Sequence, residues 1–199
     1  MASGTDTAWT ILAGLPPDQV CANAAVRSAP AGEAYLLSCF GQEIAVRPGR
    51  REMTANTPVG EILLGRFRYF SELAILWYLA SAKAVPPSGK LIRPSDLKAG
   101  QIFATGSHVL PLDKLAQQYG GDPQAFFARG SLLGGEAAGL GDAAVRLLPF
   151  PRVPVVLVVW TECEEFRART DLLFDSTCEL QLPQDIVWAT AMLSCLIMM

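Results

Sequence analysis

The run Val153-Pro154-Val155-Val156-Leu157-Val158-Val159-Trp160 constrains this chain more than any other stretch. It carries no charge and is dominated by β-branched side chains, which suit a pleated surface and lose side-chain freedom in a helix. An apolar run without polar alternation has no solvent side, so it predicts a central strand. A central strand needs neighbours. Leu172-Leu173-Phe174-Asp175 is the predicted partner. Upstream, Ala34 to Cys39 and Glu43 to Val46 are two further β-type runs joined by Phe40-Gly41-Gln42, with Gly41 supplying the turn of a hairpin.

Helical signals separate the strands. Thr57 is placed to cap a helix and Pro58 to occupy its first position. From Ile62 the apolar residues Leu63, Phe67, Phe70, Leu73, Ala74, Trp77 and Tyr78 recur with helical period, to about Ala82. Gly65 within this stretch costs about 1 kcal/mol against alanine, and marks close packing or a junction of two helices. A first helical turn is expected over 8–13, closed by Pro16-Pro17, and short helices over 17–26, 112–119 and from Asp122-Pro123 to about Arg129. A glycine-rich link runs from Gly130 to Asp142. Leu182-Pro183-Gln184-Asp185 opens a final helix, with Asp185 where the helix dipole favours a carboxylate. A hairpin, then helices, then strands and a closing helix give an α+β fold, with an antiparallel or mixed sheet against several helices. The 199 residues show no repeat and no linker, so a single domain over 1–199 is expected.

Composition narrows the function classes. Hydrophobic residues make up 51% and charged residues 18%, a core-rich chain. A formal net charge of −3 lacks the electrostatic footprint of a nucleic-acid binder. The basic clusters Arg47/Arg50/Arg51 and Arg66/Arg68 are read as solvated faces. Cysteines at 21, 39, 163, 178 and 195 are odd in number, widely spaced and without a CxxC pair. This argues against a disulfide framework or a thiolate zinc site, and for reduced, mostly buried thiols in a cytoplasmic protein. No secretory signal pattern is present. The charge-free stretch Ile186 to Met199 is fourteen residues. That is short of the roughly 20 a spanning helix needs, so a buried helix is expected and no membrane role.

A set of motifs carries a family resemblance. Phe150-Pro151-Arg152-Val153-Pro154 is followed by Trp160, then Glu164-Glu165-Phe166, then Leu172-Leu173-Phe174-Asp175, then Leu182-Pro183-Gln184-Asp185-Ile186. Leu76-Trp77-Tyr78-Leu79 with Pro87-Ser88-Gly89-Lys90, Pro111 to Leu115, and Leu133-Gly134-Gly135 through Asp142 belong to the same pattern. In order and spacing, from about Trp9 to Leu196, the chain resembles the bacterial and archaeal domain-of-unknown-function family 3786. The resemblance implies no activity. It implies a redox or tetrapyrrole setting, because some members are fused to an iron–sulfur module similar to one found in corrinoid-dependent proteins. This chain lacks that cysteine cluster. It also departs from the family's pattern on both sides of Glu164-Glu165-Phe166, with Cys163 for an aspartate and Arg167 for a proline.

His108 is the single histidine, which excludes two- and three-histidine metal sites within the chain. No GxSxG elbow and no GxxxxGK[ST] loop is present. One histidine suffices as axial ligand to haem or a corrinoid, whose macrocycle supplies four other ligands. Gly134 and Gly135 would let backbone approach such a ring, and Trp77 and Tyr78 would wall its pocket. The plainer reading is a surface or capping histidine beside core aromatics. Glu162, Glu164 and Glu165 follow the central strand, and Asp142, Asp171 and Asp175 are able to join them around a metal ion or as acid and base. The plainer reading there is a solvated strand end, with Asp175 stopping its strand by side-chain-to-backbone bonds. Cys163 is read as structural. Three expectations stay open: a ligand-binding domain, with haem or a corrinoid as cofactor; a carboxylate-based, metal-assisted enzyme using Asp142, Glu164 and Glu165; and an interaction module for a redox or corrinoid partner, docking through the methionine-ended final helix.

Overall fold

The computed structural model describes residues 4–30, 32–98, 100–103 and 109–199. In chain order its elements are α1 (Gly4–Gly14), α2 (Pro17–Ala24), β1 (Arg27–Ser28), β2 (Tyr35–Cys39), β3 (Gln42–Arg47), β4 (Glu52–Ala55), α3 (Pro58–Leu64), α4 (Arg68–Ser81) and β5 (Leu91–Ile92). There follow α5 (Leu112–Tyr119), α6 (Pro123–Leu132), β6 (Glu136–Ala137), β7 (Ala143–Phe150), β8 (Val153–Trp160), β9 (Arg169–Asp175), α7 (Cys178–Gln181) and α8 (Gln184–Met198). The fold is α+β, with two antiparallel sheets in the orders β1-β2-β3-β4 and β5-β9-β8-β7-β6. The valine-rich run is the middle strand of the larger sheet, buried from Val153 to Val159 on both faces. Leu157 lies opposite Leu172 on one side and Val145 on the other. These residues belong to one apolar cluster that also takes in Leu12 of α1, Val20 of α2, Ile44 of the hairpin, Leu79 of α4 and Leu193 of α8.

Five strands escape prediction from the sequence: the two-residue β1, β5 and β6, and the longer β7 and β4. β7 mixes apolar residues with Arg146 and Pro149, which hides its strand character. Both are accommodated: Arg146 faces outward and pairs with Glu136 at 3.5 Å, and Pro149 falls where the register shifts between Leu147 and Phe150. A proline at an irregularity removes no ladder hydrogen bond. At the same irregularity the Phe40 N–H donates to the Leu148 carbonyl at 2.9 Å, which joins the small sheet to the large one. β4 is short and polar, so it has no hydrophobic signal. It is recruited by register with β3, where Val46 lies opposite Met53.

The expected 57–82 helix is two helices meeting after Gly65. Thr57 Oγ1 accepts the Gly60 N–H at 3.1 Å, the cap read from the sequence. Ser71 Oγ donates to the Leu63 carbonyl at 2.7 Å and stitches α3 to α4. Asp122 caps α6 in the same way, accepting the Ala125 N–H at 2.9 Å. α1 is longer than the expected single turn. α8 is the interior helix of the fold. Ile186, Val187, Leu193, Cys195, Ile197 and Met198 are all buried, so the methionine-ended helix is not a free docking face. Its last carbonyls are taken by the Arg129 guanidinium, at Ile197, and the Tyr119 hydroxyl, at Met198. Among the described residues no helix is long and apolar enough to cross a membrane.

Gly134 has a positive φ of 66°, and a β-carbon there would lie 3.0 Å from the Gly41 α-carbon. Gly41 itself turns the hairpin at φ 71°. The two glycines let the α6–β6 corner and the hairpin turn touch backbone to backbone. Gly134→Ala is therefore expected to destabilise the protein by about 1–3 kcal/mol, from left-handed strain plus displacement of the hairpin. A shift of the urea midpoint at unchanged slope checks it; an unshifted midpoint counts against the contact.

Candidate functional site

The residues singled out by sequence are scattered by the fold. His108 lies outside the described residues, as do its neighbours 104–107. Trp77 is half-buried against the core. Tyr78 is fully buried within it. The Tyr78 hydroxyl donates to the Ala24 carbonyl at 2.7 Å and accepts the Arg152 N–H at 3.2 Å, and its ring stacks on Phe150 at 4.5 Å between centroids. Burial pushes this phenol above its ordinary range. Tyr78 is thus a structural pin. Gly135 faces Val145 and Leu147, whose methyls would lie 2.7 and 2.8 Å from an added β-carbon, and Gly134 is occupied by Gly41. The space a macrocycle would need at these glycines is filled by protein.

The carboxylates are likewise dispersed. Glu164 and Glu165 are exposed, and among the described residues no three Asp, Glu, His or Cys side chains converge as a metal site. Asp142 Oδ2 accepts the Thr161 N–H at 2.7 Å and the Thr161 hydroxyl at 2.9 Å. Those two bonds hold its carboxyl below the usual carboxylate range. Asp175 is buried and acts as the sequence suggests, closing β9 through hydrogen bonds to Thr177 and to Ser88 and Gly89. Of the five free cysteines only Cys163 is exposed; Cys21 is half-buried and the other three are buried. Burial pushes Cys178 and Cys195 up to about 12, which leaves them protonated at neutral pH. Cys163, read from the sequence as structural, is exposed on the connection between β8 and β9.

What the fold does assemble is a cleft of about 640 Å³ at one end of β8 and β9. Trp160 ends β8 and Arg169 begins β9, and the two are register partners. The Arg169 guanidinium sits 4.8 Å over the Trp160 ring, a cation–π contact. Trp160 Nε1 donates to Asp171 Oδ2 at 2.8 Å, which fixes the indole. On the other side Gly141, at φ 56°, brings the β6–β7 loop so close that a β-carbon would meet Val158 at 2.5 Å. Asp142 follows, held by Thr161. The connection from β8 to β9 turns where the Cys163 N–H donates to the Phe166 carbonyl at 2.9 Å. It presents Phe166, 70% exposed, together with Arg167 at the same cleft.

Two arginines, Arg167 and Arg169, line this cleft. Four of the five arginines in the basic clusters noticed in the sequence are paired locally, Arg47 by Glu52, Arg50 by Glu33, Arg51 by Asp6 and Arg68 by Glu72, and Arg66 lies 5.2 Å over the Phe67 ring. Arg167 and Arg169 have no ion pair among the described residues. A second cleft of about 590 Å³ adjoins on the far side of Arg167, bounded by Asp113 and Gln117 of α5 and by Glu162. Its floor is the end of α5 against the start of β9, where Gly120 is needed because a β-carbon would lie 2.3 Å from that of Ala168. Another cleft of about 480 Å³, between α1 and β2, is rimmed by the already paired Glu33 and Arg50.

The sequence reading missed Trp160, Arg167 and Arg169 as site residues. The available signal was the hairpin: once Val153–Trp160 pairs with the strand ending at Asp175, the residues flanking the 161–168 connection must share one end of the sheet. No curated protein and no solved structure matches the chain. A family match covers residues 16–196, nearly the whole chain, and through it the chain belongs to the family described as Domain of unknown function (DUF3786).

Proposed function

We propose that this chain is a ligand-binding domain, and that its ligand is a flat organic anion held at the end of β8 and β9. The observation that carries the reading is the pair of guanidiniums without a carboxylate partner, Arg167 and Arg169, at one cleft with an exposed phenylalanine and a half-buried tryptophan. Arginine is suited to carboxylate or phosphate oxygens by its planar fork, and to ring faces by stacking. Phe166 supplies apolar area that is otherwise left in water. A tetrapyrrole with acidic side arms, such as haem, meets both demands, and His108, the single histidine, stays the candidate for an axial contact. The carboxylate-based enzyme gains no support from the dispersed Asp142, Glu164 and Glu165.

The test is an absorbance titration with haemin, repeated with cobalamin. A saturable band shift is expected for the unaltered protein. Arg167→Ala is expected to weaken it roughly 10- to 100-fold, the loss of a charge-assisted contact of about 1.5–3 kcal/mol. His108→Ala changes the band position only if the imidazole is axial. A shift unchanged by Arg167→Ala places the ligand elsewhere, and no shift with either compound removes the tetrapyrrole.

A further inference from the structure

We infer that the ligand is bipartite, a nucleoside diphosphate that carries a second, hydroxylated group, spanning the two clefts that meet at Arg167. The inference rests on the proposed flat-anion site and narrows its ligand class. The two clefts differ in chemistry. The first offers Phe166, Trp160 and Arg169, a surface for a flat ring. The second offers Asp113, Gln117 and Glu162, all exposed and each able to accept a hydrogen bond. Acceptors of this kind recognise hydroxyl groups, and carboxylates repel phosphate. The anion of the ligand therefore belongs between the clefts, at Arg167, which lines both.

Two further features set the class. Arg167 and Arg169 have no ion pair among the described residues, so about two negative charges suit the site, the number a diphosphate diester bears. Arg169 already stacks on Trp160. A guanidinium held on one ring can take a second flat group, here a base, on its free side. The order base, diphosphate, polyol matches the order first cleft, Arg167, second cleft. A haem would leave the second cleft unused.

Calorimetric titration of the whole chain with ADP and with ADP-ribose tests this, with haemin as the control for the first cleft. ADP-ribose is expected to bind one site at least tenfold more tightly than ADP. The Asp113→Ala/Glu162→Ala double variant should bring ADP-ribose down to the affinity of ADP without weakening ADP. Arg167→Ala should weaken both at least tenfold. Equal affinities for the two nucleotides, or a double variant that weakens both alike, overturn the bipartite ligand. If haemin binds in an Arg167-dependent way and neither nucleotide binds, this inference falls and the flat-anion site stands. If no probe binds, both fall. The altered residues are all exposed, so loss of folding does not explain a loss of binding.

Discussion

Asp175→Ala is expected to destabilise the protein by about 3–5 kcal/mol, the scale for removing one member of a buried charged network. The Asp175 carboxylate is 1% exposed and accepts the Ser88, Gly89 and Thr177 N–H groups at 3.0, 2.7 and 3.0 Å, plus the hydroxyls of Ser88 and Thr177 at 3.0 and 2.7 Å. It ties the 83–90 segment to the end of β9, and alanine would strand three backbone donors. Burial pushes its carboxyl up, but the hydrogen bonds from Thr177, Ser88 and Gly89 outweigh burial, and the net shift is downward. A depressed folded value means that the unfolded chain holds the proton more tightly. The stabilisation is therefore complete above the unfolded value of about 3.9 and is lost as pH falls through the folded value. Urea unfolding from pH 7 downward should show Asp175→Asn well below wild type at neutral pH and the gap closing below about pH 4. A gap that is independent of pH would show that shape, not charge, holds this corner.

Tyr78→Ala is expected to cost about 3–5 kcal/mol, the range for emptying a buried aromatic site. Tyr78→Phe should cost about 1–2 kcal/mol, because the ring stays on Phe150 while the Ala24 carbonyl and Arg152 N–H lose their shared hydroxyl. Arg152 also donates to the carbonyls of Asn23 and Ala22 at 2.7 and 3.1 Å, so α2 keeps part of its C-terminal satisfaction in the phenylalanine variant. Neither ADP-ribose nor haemin binding should change in Tyr78→Phe. A change in binding at preserved stability would return Tyr78 to the ligand pocket in which the sequence first placed it.

These two residues show what family motifs report. Tyr78, Arg152, Asp175 and Gln181 lie in or beside the motif-bearing segments, and each pins distant backbone. Gln181, fully buried, accepts the Lys83 N–H at 2.9 Å and donates to the Val85 carbonyl at 3.0 Å. A motif built from such pins identifies a fold, and it carries a recognisable pattern without marking a site.

Much of the architecture was legible because it depends on short-range physics. The valine run has one way to be buried and became the middle strand. Gly41 turns the hairpin, Thr57 and Asp122 cap their helices, and Asp175 stops β9, all through bonds within a few residues. β7 and β4 were not legible, since Arg146, Pro149 and the polar Glu52–Ala55 acquire strand conformation only from their partners' register. Gly65 left open one helix or two, and Ser71 bound to the Leu63 carbonyl shows two. The same division governs the candidate site. Residue types and spacing drew attention to Tyr78, Gly134 and Gly135, which carry the fold. Tertiary structure alone sets Trp160 opposite Arg169, leaves Arg167 without an ion pair among the described residues and joins two clefts there, because adjacency across a hairpin and the absence of an ion pair are properties of space and not of order along the chain.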